Sequence, residues 1–252
     1  MVLAAAAGGA VNSIAGGGTL LTFPALIGLG IPPLVANATS TVALWPGALA
    51  SIWGYREELS GARRWALRWA VPSILGGLAG AFLLLRTSAA RFERLVPWLV
   101  LGATMLFILQ RPLMDRLKAR TVDRGAPPDP ATNTPALLVL LYQFGVGVYG
   151  GYFGAGIGIL MLAALGFLGF TNIHRMNGLK SFGGMCVNAV AAITFAMSSL
   201  VDWPVAIAMA AGATIGGYAG SRLAQRVPQQ RVRQAIIVIG LASGVWLLMN
   251  RV

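Results

Sequence analysis

A lysine set among amides and hydroxyls inside an apolar run is the most chemically suggestive feature of this sequence. Residues 176–188 read MNGLKSFGGMCVN, which brings Asn177, Lys180, Ser181 and Asn188 into a stretch otherwise apolar or small. A lysine at membrane depth is costly and is usually kept for function. Its ammonium carries three donors and a positive charge, and neighbouring amides and hydroxyls can donate to the same ligand. A comparable stretch nearer the N-terminus, ANATSTVALWPG, supplies Asn37, Thr39, Ser40 and Thr41. The carboxylates behave differently. Glu57, Glu58, Glu93, Asp115, Asp123, Asp129 and Asp202 all fall in predicted loops or at the edges of apolar segments. That disfavours an intramembrane acid relay, and equally a cation site built on carboxylates. An interior rich in donors and free of acids suits a small oxyanion. The competing reading of Lys180 is a lysine near a helix end at Asn172, its ammonium snorkelling to the interface. For the Asn and Thr residues it is hydrogen bonding between helices. Asn12 and Gln143 are weaker site candidates. His174 is the only histidine and Cys186 the only cysteine, so neither a metal site nor a disulfide framework is expected, and no cofactor or catalytic constellation.

The elements that position these residues must be membrane helices. Hydrophobic residues make up 57% of the 252 and charged ones 10%, well below the roughly 25% of a soluble domain. The solvent that tolerates so little charge is lipid. The net charge of +12 does not indicate nucleic acid, because the basic residues lie in short runs between apolar segments, as in membrane loops. Apolar stretches recur at about 1–30, 33–55, 66–85, 95–111, 136–170, 175–197, 204–221 and 234–250, most of them near the ~20 residues of a spanning helix. The N-terminus lacks the basic start of a signal peptide and reads as part of the first membrane element. Most of the tryptophans (Trp53, Trp65, Trp69, Trp98, Trp203) read as interfacial anchors. Trp45, beside Pro46, is deep enough to line a cavity.

The sequence is duplicated. At a single offset of 140, Gly16 and Gly18 fall on Gly156 and Gly158, Asn37 on Asn177, Thr41 on Ser181, Gly76, Gly77 and Gly80 on Gly216, Gly217 and Gly220, and Arg86 on Arg226. A proline- and charge-rich segment separates the copies, giving a first membrane repeat at 1–112, a cytoplasmic linker at 113–135 and a second repeat at 136–252. Internal repeats are a common plan of secondary transporters. Glycine is unfavourable inside a helix, so Gly16, Gly17 and Gly18, and Gly156 and Gly158 in the second copy, are expected to break their segments into a re-entrant hairpin or a broken helix. Such backbone survives at depth only when buried in protein or lining a cavity. Helix N-termini freed there would add backbone N–H groups for an anion. The glycines of GGLAG (76–80) and GGYAG (216–220) read instead as close helix packing. If each half holds a hairpin plus three crossings, the basic segments at 56–68, 112–135 and 222–233 all become cytoplasmic and 198–203 faces outward. The fold expected is therefore an all-α polytopic membrane protein of two pseudo-symmetric, inverted repeats.

Several segments also resemble a known family. AGGGTLLTFPALIGLGIPPLVANATSTVAL is similar to the glycine-rich opening motif of the TauE/SafE family of sulfite exporters. GYFGAGIGILMLAALGF followed by HRMNGLKSF resembles its second-half copy, and VDWPVAIAMAAGATIGGYAGSRLAQRVP matches its style. The resemblance spans nearly all of the chain except the linker. It implies a multi-pass transporter of the bacterial inner membrane for sulfite, for an organosulfonate such as sulfoacetate, or for a related sulfur anion. The expected partners are a small anionic substrate and the lipid bilayer, with a homo-oligomer left open and no nucleic acid. The second motif departs from the first at Ile157, where the first has Gly17, and at Ala164, where the first has Pro24. That leaves room for a different substrate or for unequal roles of the halves. The rival readings are an anion channel, an uptake carrier for a related organic anion, a membrane-embedded enzyme and a structural membrane partner.

Overall fold

The computed structural model describes residues 1–60, 62–122, 137–168, 170, 172–223 and 229–249. The described residues form helices α1 (Val2–Ile14), α2 (Thr19–Ile27), α3 (Pro33–Gly54), α4 (Arg56–Ser60), α5 (Arg63–Leu85), α6 (Ala89–Val122), α7 (Leu137–Tyr152), α8 (Ile157–Phe167), α9 (Ile173–Ala196), α10 (Trp203–Leu223) and α11 (Gln229–Met249). This is an all-α, multi-pass bundle. Three stretches, Arg63–Leu85, Ala89–Leu109 and His174–Ala196, are long and apolar enough to cross a membrane. Their outward faces are greasy: Leu75, Phe82, Met105 and Ile193 are all exposed, as lipid contact requires.

The glycine clusters turn the chain back on itself. Helix α1 has 13 residues, about 20 Å of helix, which is short of the ~30 Å hydrocarbon core. It stops at Ile14, and Gly16 follows with φ +78°; after α7, Gly156 sits at φ +79°. Both lie in the left-handed region that a Cβ disfavours. Each break closes a hairpin. Gly8 and Thr22 lie against each other, as do Gly8 and Gly18. In the second pair the Tyr142 hydroxyl donates to Leu160 O at 3.1 Å; on one continuous helix these residues would stand about 27 Å apart. Of the two forms the sequence allows, the structure takes the hairpin.

Helices pack across the two halves of the chain. α1 lies on α10 and α7 on α5; α3 meets α10 and α9 meets α5; α2 touches α11 and α8 touches α6. Each contact has its counterpart 140 residues away. Close approach explains the glycines of GGLAG and GGYAG. A Cβ on Gly76 or Gly80 would run into α7 backbone, and one on Gly216 or Gly220 into Ala6 or Ala10 of α1. In lipid, where the hydrophobic drive is absent, such small-residue contact is what holds helices together.

One expectation needs correction. Trp65 and Trp69 are buried rather than interfacial, stacking at 4.8 Å between ring centroids, because the α5 face that carries them turns inward under Phe170 and Met161. Trp53, Trp98 and Trp203 are exposed. Helix α6 continues to Val122. Residues 123–135 of the expected linker, together with residue 136 and Arg226, lie outside the described residues.

Candidate functional site

The hairpin tips meet at the centre of the bundle: a Cβ on Gly16 would sit 2.5 Å from Gly158 Cα. Beside that contact is a cavity walled by the end of α1, the C-terminal third of α3, the start of α8 and the core of α9. Lys180 reaches into it. Its side chain is only 2% exposed, so it does not snorkel. Nζ donates to Ser13 O at 2.8 Å and more weakly to Asn12 O at 3.5 Å. Those carbonyls belong to the last turn of α1, where acceptors lack intrahelical partners and the helix dipole is negative. The ammonium therefore caps a helix rather than pairing with an acid. No acidic side chain lines the cavity, and a third N–H remains for a ligand.

Other donors converge on the same space. Gly156 is the N-cap of α8, and the next two residues, Ile157 and Gly158, border the cavity. First-turn N–H groups carry the positive end of the dipole. Ser181 also borders it, and its Oγ is buried with no hydrogen-bond partner among the described residues. Asn12 and Asn188 add amides, and Ser13 and Ser51 share a 2.8 Å hydroxyl pair on the wall. The space is tight. About 20 Å³ is free, room for roughly one water, so even a four-atom oxyanion requires the walls to part.

Of the residues expected from sequence, Lys180, Ser181, Asn188, Gly16 and Gly158 share this cavity. The rest of the set stands apart from it. Asn37 donates from Nδ2 to Tyr152 O at 3.0 Å, capping the end of α7 much as Lys180 caps α1. Ser40 pairs with Thr22 at 2.6 Å, Thr41 donates to Asn37 O at 2.9 Å, and Thr39 Oγ1 accepts from Asp202 N at 3.0 Å. The Thr41 bond lies within α3, while those of Ser40 and Thr39 tie α3 to α2 and to the start of α10. Asn177 is buried with its Oδ1 unpartnered. Gly17 faces the Phe107 ring, and Gly18 starts α2 against Gly8 O. Asn37→Ala should therefore act on the scaffold. Leaving the α7 carbonyl unpaired costs about 1–3 kcal/mol, a fall in Tm of roughly 2–10 °C, with substrate KM changed far less than by changes at Lys180; a thermal-shift assay beside flux kinetics separates the two.

Sequence reasoning missed Ser13, Ser51, Gly9, Gly47, Gly184 and Met185 as cavity residues. They carry no charge and sit in small-residue runs, so only the folding of the hairpin reveals them. The counterpart region is filled. At the offset of 140, Gly9, Asn12 and Ser13 become Tyr149, Tyr152 and Phe153, and the Phe153 ring packs edge-on against Phe23 at 5.4 Å.

Residues 1–247 match the family model described as sulfite exporter TauE/SafE. A probable membrane transporter protein of Haemophilus influenzae is 27% identical over 233 residues, 91% of this chain and 86% of that protein. The probable membrane transporter protein YfcA of Escherichia coli is 27% identical over 248 residues, covering 95% and 85%. ORF9 of a Sinorhizobium species, also described as a probable membrane transporter protein, is 26% identical over 253 residues, covering 98% and 91%. No solved structure gives a significant match. With its helical bundle and its central cavity, this chain is a polytopic membrane protein, and it belongs to the TauE/SafE family of membrane transporters.

Proposed function

We propose that the protein carries a small sulfur-containing anion, sulfite or an organosulfonate such as sulfoacetate, out of the cell by alternating access. The observation that carries this reading is Lys180: a buried ammonium held only by helix-end carbonyls, on a cavity without acids. A substrate anion would take the third N–H of Lys180, the Ser181 hydroxyl and the first N–H groups of α8. Asn12 and Asn188 would orient it. Burying the anion beside a cation offsets the cost that either charge would bear alone.

The moving parts in this reading are two inverted repeats, 1–112 and 136–252, joined by a cytoplasmic linker at 113–135. The matched glycine conformations at Gly16 and Gly156 and the exchanged helix contacts support that division. An odd number of crossings after each hairpin inverts the second copy, and the basic segments then share the cytoplasmic side. Rocking of one repeat against the other would expose the cavity to each side in turn.

The tight cavity favours a carrier over an open channel. Proteoliposomes preloaded with unlabelled sulfite should show saturable, trans-stimulated uptake of labelled sulfite. Linear flux with no counterflow would replace the carrier with a channel.

A further inference from the structure

We infer that Gly184 is the specificity-determining residue that leaves room for the organic substituent of the transported anion. This rests on the anion-carrier reading of the cavity and refines it. Gly184 lies one turn beyond Lys180 on α9, and residues four apart share a helix face. Both border the cavity. The other glycines of that wall have no freedom to change: a Cβ on Gly9, Gly16, Gly47 or Gly158 would press on the backbone of a neighbouring helix.

Gly184 is different. A Cβ built there meets nothing within 4 Å. Three other described glycines share that property, Gly30, Gly102 and Gly145, and all three are exposed surface. Gly184 is partly buried, so its open space is on the cavity side. The glycine therefore serves neither packing nor a special backbone angle. It keeps a volume empty beside the ammonium and beside the unpartnered Ser181 hydroxyl, which is 91% buried by its 9% exposure. The duplicated copy shows what a side chain does in this place. The position equivalent to Gly184 is Leu44, which is 3% exposed and packs towards Gly8, in the half where the corresponding region is filled. A two-carbon sulfonate such as sulfoacetate needs more space behind its anionic group than sulfite does, and the space at Gly184 is the part of the wall that can supply it.

The test is equilibrium binding of sulfite and sulfoacetate to purified, detergent-solubilised wild type, Gly184→Ala, Gly184→Leu and, as a surface control, Gly102→Ala. A methyl group forced into a fitted site weakens binding by roughly 5- to 150-fold. Gly184→Ala should weaken sulfoacetate about 10-fold or more beyond its effect on sulfite, and Gly184→Leu should lose both. Folding is monitored in the same samples. Replacing a helical glycine by alanine without a clash should leave Tm unchanged or raise it by about 2–4 °C, so weaker binding with undiminished stability identifies a steric effect in the site. Equal effects on the two anions, or none, would overturn the role given to Gly184. Wild type that binds neither anion would instead overturn the anion reading on which it rests.

Discussion

Lys180→Met should lower anion flux by roughly 100-fold or more, because removing one member of a buried, hydrogen-bonded charge pair costs about 2–5 kcal/mol. Methionine keeps the aliphatic length of the lysine and removes only the ammonium. The structural consequence is smaller. Ser13 O loses its donor, while Asn12 O keeps the Gly16 N–H; the unpaired Ser13 carbonyl costs about 1–3 kcal/mol, but the expense of holding a charge away from water disappears with the ammonium. Tm should therefore move by only a few degrees while flux collapses. Lys180→Arg should not restore full transport: the planar guanidinium is longer and presents its donors as a fixed fork, and the cavity holds only about 20 Å³. Proteoliposome flux and thermal unfolding measured on the same preparations separate loss of charge from loss of fold. Wild-type flux in the methionine variant would remove Lys180 from the transport step.

Gly16→Ala should be strongly destabilising. Alanine in the left-handed region costs about 1–2 kcal/mol. Its Cβ would also sit 2.5 Å from Gly158 Cα, a backbone atom with nowhere to go, and overpacking of that kind adds about 1–3 kcal/mol. The sum corresponds to a fall in Tm of roughly 5–15 °C. Gly156 provides the comparison, because its φ is nearly the same but its nearest neighbours, on Ala103, are 3.7 Å away. Gly156→Ala should bear the conformational cost alone, about 1–2 kcal/mol. The expected order, Gly16→Ala well below Gly156→Ala below wild type, is read by thermal unfolding in detergent. Equal losses would show that the hairpin tips do not touch.

Much of this architecture is legible in the residues. The glycine clusters mark the hairpin tips because few other residues accept the angle found at Gly16 and Gly156. Lys180 marks the cavity because an ammonium at that depth has few uses. The polar run from Asn37 to Thr41 is harder to read. Amides and hydroxyls serve equally as ligand donors and as ties between helices, and composition cannot distinguish them. In the fold, Asn37 is taken by Tyr152 O and Ser40 by Thr22. Trp65 and Trp69 mislead in the same way, since an indole anchors at an interface or packs in a core with the same chemistry. The wall residues Ser13, Ser51 and Gly184 were hidden because their roles depend on which helix lies opposite. The local glycine patterns mark a hairpin or a close contact, but they do not name the helix that lies opposite.

The attraction of this cavity for negative charge is tested most directly by a pair of ligands that differ in little else. Methanesulfonate and dimethyl sulfone have the same heavy-atom skeleton, with an anionic oxygen in one replaced by a methyl group in the other. Titration calorimetry of the purified protein should give measurable binding of methanesulfonate and at least ~100-fold weaker binding of the sulfone, the discrimination expected when a buried ammonium loses its counter-charge. Equal affinity for the neutral and the charged ligand would contradict the account at its root.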